Sequence, residues 1–377
     1  MGKQERVVHV LAVVSQLNRG GLESRLMEIL RKMDFNRVCI DIYTYRLEKG
    51  LMDDEAKKLG CTIYYNKPLT VRNMHSYVNY FAEFLRKHPE YRIVHAHQDA
   101  WCSVFCKGAY KAGVPVRIAH SRTAISTITL RNIAKNIIKL QAKKYATHCF
   151  AVSDKAGEWL FGKKMMKKGK VQIWKNAIDC GKYVYDEKIR FEVRNEVGLS
   201  NEFVIMHVGN FTQPKNHEFI IDVFEQIIYN GTDAKLVLVG ADTPVEHNEK
   251  RIRDIVQEKK LADKVIFMGL RDDVCRVLQA ADVFLFPSLF EGLPGAVIEA
   301  QAAGLPCVVS DTITKEVCIL DSTVMLSLQL PVSQWAQKIE EFMTHKRKNT
   351  MQQMINAEFD VNSLVDKLTK FYESVEV

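Results

Sequence analysis

The chain has 377 residues, of which 47% are hydrophobic and 26% are charged, and its formal net charge is +8. This length exceeds what a single hydrophobic core usually supports, so we expect two domains of ordinary globular composition. No run of about 18 apolar residues is present, and the charged start MGKQER lacks the apolar region of a signal peptide. Nine scattered cysteines favour reduced thiols, so we expect a cytoplasmic protein.

Short β-branched segments alternate with helix-length segments along the whole chain. They lie at 7–14, 38–45, 61–65, 92–97, 116–120 and 148–153, and then at 203–208, 235–240, 264–269, 282–287 and 306–310. Continuous apolar strands with such spacers predict parallel sheets that are covered on both faces. We therefore predict two doubly wound α/β domains, 1–180 and 181–358. The apolar spacing of residues 359–377 predicts a closing helix that packs back toward the first domain.

The loop after the first predicted strand reads SQLNRGGLES and contains Arg19, Gly20 and Gly21. Two glycines before a helix allow the backbone to approach a phosphate or a sugar. A tight turn without a ligand is the alternative. The pattern is neither a dinucleotide-binding fingerprint nor a P-loop.

Histidines end two strands of the first half. In VHAHQDAWCSVFC, His97 follows His95, and the nearby Cys102 and Cys106 suggest a metal site, but the spacing matches no common zinc pattern and we expect no metal. In VRIAHSR, His120 ends a strand and Arg122 follows it. An imidazole at the end of a parallel strand suits hydrogen bonding or proton transfer, although a structural role is the alternative.

A basic segment spans residues 131–175. It holds one Arg and eleven Lys against Asp154 and Glu158, and 12 − 2 gives +10, which exceeds the charge of the whole chain. Such a segment suits an anionic membrane surface, with a solvated helix face as the alternative. We expect no nucleic-acid binding, because interleaved aromatic residues and a recognition-helix motif are missing.

Two loops of the second half carry polar residues after strands. The segment VGNFTQPKNH presents Asn210 and also Lys215, whose charge could pair with a diphosphate. In SLFEGLPGAVIEAQAAG a helix starts at Pro294, and the preceding Leu293 cannot cap it. The N–H groups near Gly295 and Ala296 then form an anion site.

Two carboxylates flank this helix start. Glu299 lies one turn further along the helix, where it suits the vicinal hydroxyls of a ribose. Glu291 precedes the helix and could contact another polar part of the same ligand. Ordinary solvated glutamates are the alternative.

Taken together, these motifs resemble glycosyltransferase family 4, whose members are retaining enzymes with the GT-B fold of two Rossmann-like domains facing a central cleft. The resemblance rests mainly on the Glu-x7-Glu element from Glu291 to Glu299 in FPSLFEGLPGAVIEAQAAGLPCVVSD. It is supported by the GG of the first loop, by NAID at 176–179, by GNFTQPKNH and by VIFMGLRDDV at 265–274.

The resemblance implies that the second half binds a nucleotide sugar and that the first half binds the acceptor. Glu299 would hold the ribose and Glu291 the donor sugar. The residues implied to surround the diphosphate and the base are Asn210, Lys215, Leu270, Arg271, Leu293, Pro294, Gly295 and Ala296. From the first domain, Gly20 and Gly21 would approach the donor, His120 would lie beside the reacting sugar, and Arg19, His97 and Arg122 would lie on the acceptor side.

One departure from the family pattern concerns Asn210, since the family usually has an Arg directly after the glycine of GNF. A diphosphate leaving group needs positive charge, so Lys215 and the helix dipole would carry more of that task, or Arg19, Arg122 or Arg271 would substitute.

We expect a retaining hexosyltransferase that uses a nucleoside diphosphate sugar, with UDP as the first choice, and that needs no metal or other cofactor. The resemblance implies a glycan or lipid-linked saccharide acceptor in capsule or exopolysaccharide synthesis, with the protein in the cytoplasm or on the inner face of the membrane. A non-catalytic nucleotide-sugar binder and a GT-B nucleotide-sugar epimerase remain alternatives.

Overall fold

The computed structural model describes residues 7–18, 21–122, 136, 138–243 and 246–375. The chain divides into two compact units. The first unit runs to Ile178 and also includes the segment from Asp360 onward, while the second unit is Asp179–Phe359.

The first unit contains a parallel sheet. Its described strands β1 to β7 are Val8–Val14, Val38–Thr44, Ile63–Tyr65, Ile93–Ala96, Val116–Ser121, His148–Ala151 and Val171–Ile173. Their spatial order is β3-β2-β1-β4-β5-β6-β7. The helices α1 to α7 between them are Gly21–Lys32, Asp53–Lys58, Met74–Lys87, Cys102–Ala112, Ala142–Tyr145, Asp154–Phe161 and Lys163–Lys167.

The alternation of side chains along the strands builds a core on each face of this sheet. On β1, Leu11 and Val13 join the core that includes α3 and α4, while Val10 and Ala12 join the core that includes α1. Both sets are fully buried, which explains why β1 is apolar at every position except His9 rather than alternating.

The second unit repeats this architecture. Its described strands β8 to β13 are Phe203–Val208, Ala234–Val239, Val265–Phe267, Val283–Phe286, Cys307–Ser310 and Thr323–Leu326. They form a parallel sheet in the order β10-β9-β8-β11-β12-β13. The helices α8 to α14 are Glu187–Glu196, His217–Tyr229, Glu249–Glu258, Val274–Val277, Gly295–Ala302, Val332–Glu340 and Met351–Asn356.

The closing helix α15, Val361–Val375, belongs to the first unit. The Asp360 carboxylate accepts hydrogen bonds from the backbone N–H groups of Asn362 and Ser363, both at 3.1 Å, and so satisfies the start of the helix. Its apolar residues, among them Val365 and Tyr372, are buried in the same core as α1.

The prediction of two doubly wound α/β domains is confirmed. Ligands of such sheets bind beyond the carboxyl ends of the strands, where the strand order reverses. These places lie after β1 and β4 in the first unit and after β8 and β11 in the second. Within the described part of the chain, no helix combines the length and the apolar character that crossing a bilayer requires.

Candidate functional site

In the second unit, the loop after β8 is tied to the loop after β11. The Asn216 side-chain amide donates to the Pro287 carbonyl at 3.1 Å, and the Leu289 N–H donates to the Pro214 carbonyl at 2.8 Å. These bonds place two segments that are about 75 residues apart in sequence side by side at the carboxyl edge of the sheet.

The two loops also bring Lys215 to Glu291. The Lys215 ammonium Nζ donates to Glu291 Oε1 at 2.6 Å, and the side chains are 19% and 24% exposed. Lys215 Nζ also lies 4.6 Å from the centre of the Phe286 ring. A cation and a carboxylate are therefore held together on an apolar support, and both are partly exposed.

Three glycines stand after neighbouring strands at this edge. The Gly240 N–H donates to the Gly269 carbonyl at 3.0 Å, and a Cβ added to Gly240 would lie 2.1 Å from the Gly209 carbonyl oxygen. Gly240 has φ +151° and Gly269 has φ +65°. Backbone therefore packs directly on backbone here, and Asn210, the residue after Gly209, is exposed.

Helix α12 begins at Gly295 with Pro294 as its N-cap residue, and no side chain of the described residues caps it. The cap position is thus one residue later than the sequence suggested, since Leu293 precedes the cap and is buried. The consequence is unchanged, because a proline side chain accepts no hydrogen bond and the positive end of the helix dipole stays available to an anion. Glu299 lies one turn into this helix and is half-buried.

The residues expected near a base lie after β10. Leu270 is 60% exposed. The Arg271 guanidinium donates to both Asp273 carboxylate oxygens at 2.8 and 2.7 Å, and this hydrogen bonding raises the pKa of Arg271. The charge of Arg271 is therefore already paired with the Asp273 carboxylate, which makes Arg271 a weak substitute for an arginine at position 210.

Two buried histidines support the loop after β8, and the sequence did not single them out. His207 donates from Nδ1 to the Leu285 carbonyl at 2.9 Å, and burial lowers its pKa well below the usual value. His217 stacks on Phe211 with ring centres 4.4 Å apart, and burial lowers its pKa to about 4. Both imidazoles are neutral at pH 7, so they shape the loop without adding charge.

In the first unit, Arg122 lies at the end of β5 and is 8% exposed. Its backbone N–H donates to Asp99 Oδ1 at 2.7 Å, and its guanidinium donates to Asn176 Oδ1 and to His97 Nδ1, each at 2.8 Å. Burial lowers its pKa to about 10, so the guanidinium is charged at pH 7. Because an arginine only donates, His97 Nδ1 carries no proton and its proton lies on Nε2.

His95, His97 and His120 form a buried imidazole cluster beside Arg122. His95 Nε2 lies 3.0 Å from His120 Nδ1, and the His95 and His97 rings stack with centres 3.9 Å apart. Burial lowers the pKa of all three well below the usual value, and the Arg122 charge lowers each further. These residues are neutral hydrogen-bonding groups at pH 7.

One nitrogen of each of these imidazoles lies within 4.8 Å of the others, a spacing that could hold a cation. The Arg122 guanidinium bonds directly to one of them, and a second positive charge at this place would be repelled. Cys102 and Cys106 belong to the core on the other face of the sheet, so they do not join the imidazoles.

Of the remaining predicted residues, Arg19 and Gly20 lie outside the described part of the chain. Gly21 is the first residue of α1, and a Cβ added to it would meet no atom of the described residues within 4 Å. Glu23 follows in the first turn, where burial raises its pKa and the Arg122 charge opposes this. The first turn of α1 therefore lies near the same polar group as the ends of β4 and β5.

The basic segment is described only in part, since residues 131–135 and 137 lie outside the described residues. Its described lysines include an exposed group on and after α7, which consists of Lys163, Lys164, Lys167, Lys168 and Lys170. Among the described residues, no carboxylate forms an ion pair with any of them.

Comparison with known proteins adds sequence relatives. A family model described as glycosyl transferases group 1 matches residues 202–345. The Bacillus subtilis (strain 168) protein named glycosyltransferase EpsF is 33% identical over 342 residues, which cover 89% of this chain and 87% of that protein. The Escherichia coli UDP-Gal:alpha-D-GlcNAc-diphosphoundecaprenol alpha-1,3-galactosyltransferase is 26% identical over 321 residues, covering 81% and 78%.

Comparison with solved structures extends the likeness to both units. The structure of Anabaena HepE in complex with UDP-glucose superimposes with a TM-score of 0.79 and 17% identity, and the match covers 97% of this chain and 99% of that one. At this identity the likeness concerns the fold, and it confirms the predicted GT-B fold class.

Proposed function

Because the chain belongs to the group 1 glycosyltransferases, we propose that it is a retaining family 4 enzyme that transfers a hexose from a UDP-sugar to a hydroxyl acceptor. The observation that carries the proposal is the meeting of Lys215 with Glu291 at 2.6 Å on the sheet edge that also bears the uncapped start of α12. The names of two similar proteins, which mention UDP-Gal and UDP-glucose, support the choice of UDP.

In this proposal the diphosphate binds at the start of α12 and beside Lys215. Breaking the bond between sugar and phosphate develops negative charge on the diphosphate, and a helix dipole with one ammonium group stabilises that charge. Lys215 and Glu291 would then separate and bind different parts of the donor. Lys215 would turn to the phosphate, while Glu291 would accept hydrogen bonds from hydroxyls of the donor sugar.

Because Asn210 replaces the usual arginine, another cation must stabilise the diphosphate. Among the arginines that could replace the usual one, Arg271 is paired with Asp273, and Arg122 is engaged with Asn176 and His97 in the first unit. Lys215 is therefore the side chain of the second unit that we propose for the diphosphate, and no metal is required in this scheme.

Glu299 is assigned to the ribose hydroxyls, and this assignment gives the test of the proposal. Calorimetric titration of UDP, GDP and ADP, each with and without magnesium, is expected to give binding of UDP alone and no dependence on magnesium. Glu299→Ala should weaken UDP binding about 10- to 100-fold, because two charge-assisted hydrogen bonds are lost. The matched control is Glu258→Ala, which removes a carboxylate at the end of α10.

Product analysis then separates the alternatives. NMR of the glycosidic product should show the anomeric configuration of the donor. Conversion of the donor sugar without an acceptor would identify an epimerase, and nucleotide binding without turnover on any acceptor would identify a non-catalytic binder. If the folded protein binds no nucleotide, the proposed function is wrong.

For the acceptor we propose a lipid-linked saccharide at an anionic membrane, as a step in the synthesis of a surface polysaccharide such as capsule or exopolysaccharide. The support is the lipid diphosphate acceptor in the name of the Escherichia coli relative and the exposed lysine group on and after α7. In this proposal the protein works on the cytoplasmic side of that membrane.

Flotation with vesicles that contain anionic lipid tests this part of the proposal. Since each lysine near such a surface contributes about 1 kcal/mol, the triple variant Lys163→Gln, Lys164→Gln, Lys167→Gln should bind about 100-fold more weakly at low salt. The control removes three exposed lysines elsewhere on the first unit, namely Lys57, Lys58 and Lys87. Equal binding of the two variants would contradict the proposed surface.

A further inference from the structure

The closing helix α15 reaches the imidazole cluster through Tyr372. The Tyr372 hydroxyl lies 2.7 Å from His95 Nδ1, and His95 Nε2 lies 3.0 Å from His120 Nδ1. The three side chains are 2%, 2% and 3% exposed. They form a buried chain of hydrogen bonds from the last helix of the protein to the strand-end histidine.

A neutral imidazole carries a single N–H, so the bonds of this chain must all run in one direction. If the Tyr372 hydroxyl donates, His95 accepts on Nδ1 and donates from Nε2. His120 then accepts on Nδ1 and carries its proton on Nε2. If the hydroxyl accepts instead, every bond is reversed and His120 Nε2 is left without a proton.

The geometry favours the first direction. The Tyr372 hydroxyl lies 2.7 Å from His95 Nδ1, a separation typical of an O–H donor, whereas an N–H donor usually bonds at about 2.9–3.0 Å. A phenol hydroxyl is also a stronger donor and a weaker acceptor than an imidazole. His120 Nε2 is buried and no described residue bonds to it, so a proton on Nε2 stays available to a ligand.

We propose that Tyr372 and His95 are positioning residues that hold His120 as the neutral tautomer with its proton on Nε2, so that it presents a hydrogen-bond donor to a hydroxyl of the bound sugar. This inference rests on the proposed function and on the position beside the reacting sugar that the family resemblance implies for His120. Neither Tyr372 nor His95 touches the substrate in this scheme, and neither exchanges a proton with it.

The arrangement assigns a second task to α15. The helix buries apolar residues in the core of the first unit, and it also supplies the Tyr372 hydroxyl that fixes the direction of the hydrogen bonds from Tyr372 to His120. An isolated imidazole with two similar environments would populate both tautomers, and only one of them can donate from Nε2.

The substitution that tests the inference is Tyr372→Phe, which removes the hydroxyl and keeps the ring in the core. The matched control is Thr369→Val, since Thr369 is buried on the same helix and its hydroxyl contacts Met33 Sδ at 3.4 Å, away from the chain. NMR spectra that correlate ring nitrogens with ring protons report the tautomer of His120 directly in the free protein.

In the wild type we expect a single His120 tautomer with a proton on Nε2, and Thr369→Val should preserve it. In Tyr372→Phe we expect both tautomers, with kcat of sugar transfer about 10-fold lower and KM for the donor changed less than 2-fold. His95→Phe, which removes the middle link, should give the same tautomer mixture and the same split between kcat and KM.

The inference is overturned if Tyr372→Phe keeps the wild-type tautomer, or if the tautomers mix while kcat stays unchanged. A wild-type protein that binds UDP but transfers no sugar would contradict the proposed function. Since the spectra need no turnover, they would still decide whether the hydrogen-bond chain sets the tautomer.

Discussion

Mild acid should destabilise the first unit through its imidazole cluster. His95, His97 and His120 are fully buried, and their burial beside Arg122 lowers the pKa of each well below the usual value. The folded unit therefore binds no proton at these positions near pH 6, whereas the unfolded chain does. The stability that follows from this difference is complete above about pH 6.5 and is lost as the pH falls below it.

The size of the effect follows from proton linkage. A histidine in the unfolded chain has a pKa of about 6.5, so at pH 5.5 it binds about 0.9 protons. Integrating the difference from pH 6.5 to pH 5.5 gives about 1 kcal/mol for each histidine, or about 3 kcal/mol for the cluster. This is a large part of the 5–15 kcal/mol by which a typical domain is stable.

Hydrogen exchange measured by mass spectrometry tests this prediction separately in each unit. The slowest amides of β4 and β5 report the free energy of unfolding of the first unit, after correction for the intrinsic effect of pH on exchange. We expect a decrease of about 3 kcal/mol between pH 6.5 and pH 5.5. His97→Asn should reduce the decrease to about two thirds, and the exposed His75→Gln on α3 should leave it unchanged. A decrease below about 1 kcal/mol, or one that is equal in wild type and His97→Asn, would refute the reasoning.

Three further predictions concern the second unit. In a urea titration, Gly240→Ala should lower the free energy of unfolding of this unit by about 3 kcal/mol or more, because the new Cβ would lie 2.1 Å from the Gly209 carbonyl oxygen. The control Gly231→Ala, whose Cβ would meet no described atom within 4 Å, should lower it by about 1 kcal/mol. Lys215→Met should weaken UDP binding at least 10-fold by calorimetry and leave the Glu291 carboxylate without its 2.6 Å partner, while Lys215→Arg should recover most of the affinity. Treatment with EDTA should leave sugar transfer unchanged, and a loss that magnesium restores would contradict the proposed metal independence.

The sequence was sufficient to predict the central strands, which are buried on both faces of each sheet. β11 is apolar throughout, and β1 and β8 are apolar apart from His9 and His207, because both faces of these strands pack against core. β13, Thr323–Leu326, was missed because its apolar run is only three residues long and each of its residues is only half-buried. Its position at the sheet edge follows from pairing with β12, which local pattern does not encode.

For the candidate site, the sequence supplied residue types but not their partners. It placed Lys215 and Glu291 in separate loops, and their contact depends on the bonds from Asn216 and Leu289 that join those loops. It offered His120 as a lone strand-end histidine, while the structure surrounds it with His95 and Tyr372. The contact between residues 95 and 372 arises only when the closing helix packs on the sheet, so no local pattern could have revealed it.

The candidate sites of the two units have one feature in common, which is that neutral buried imidazoles lie near a single positive charge. In each unit, buried histidines are kept neutral by burial. They are the cluster around His120 in the first unit, and His207 on β8 with His217 at the start of α9 in the second. A neutral imidazole provides hydrogen bonds without the cost of burying a charge. Positive charge is then concentrated in Arg122 and Lys215, each held by specific hydrogen bonds. Each cation is therefore held at a fixed position rather than spread over a diffuse positive surface, and replacing these imidazoles with charged side chains would weaken both the folding and the placement of that cation.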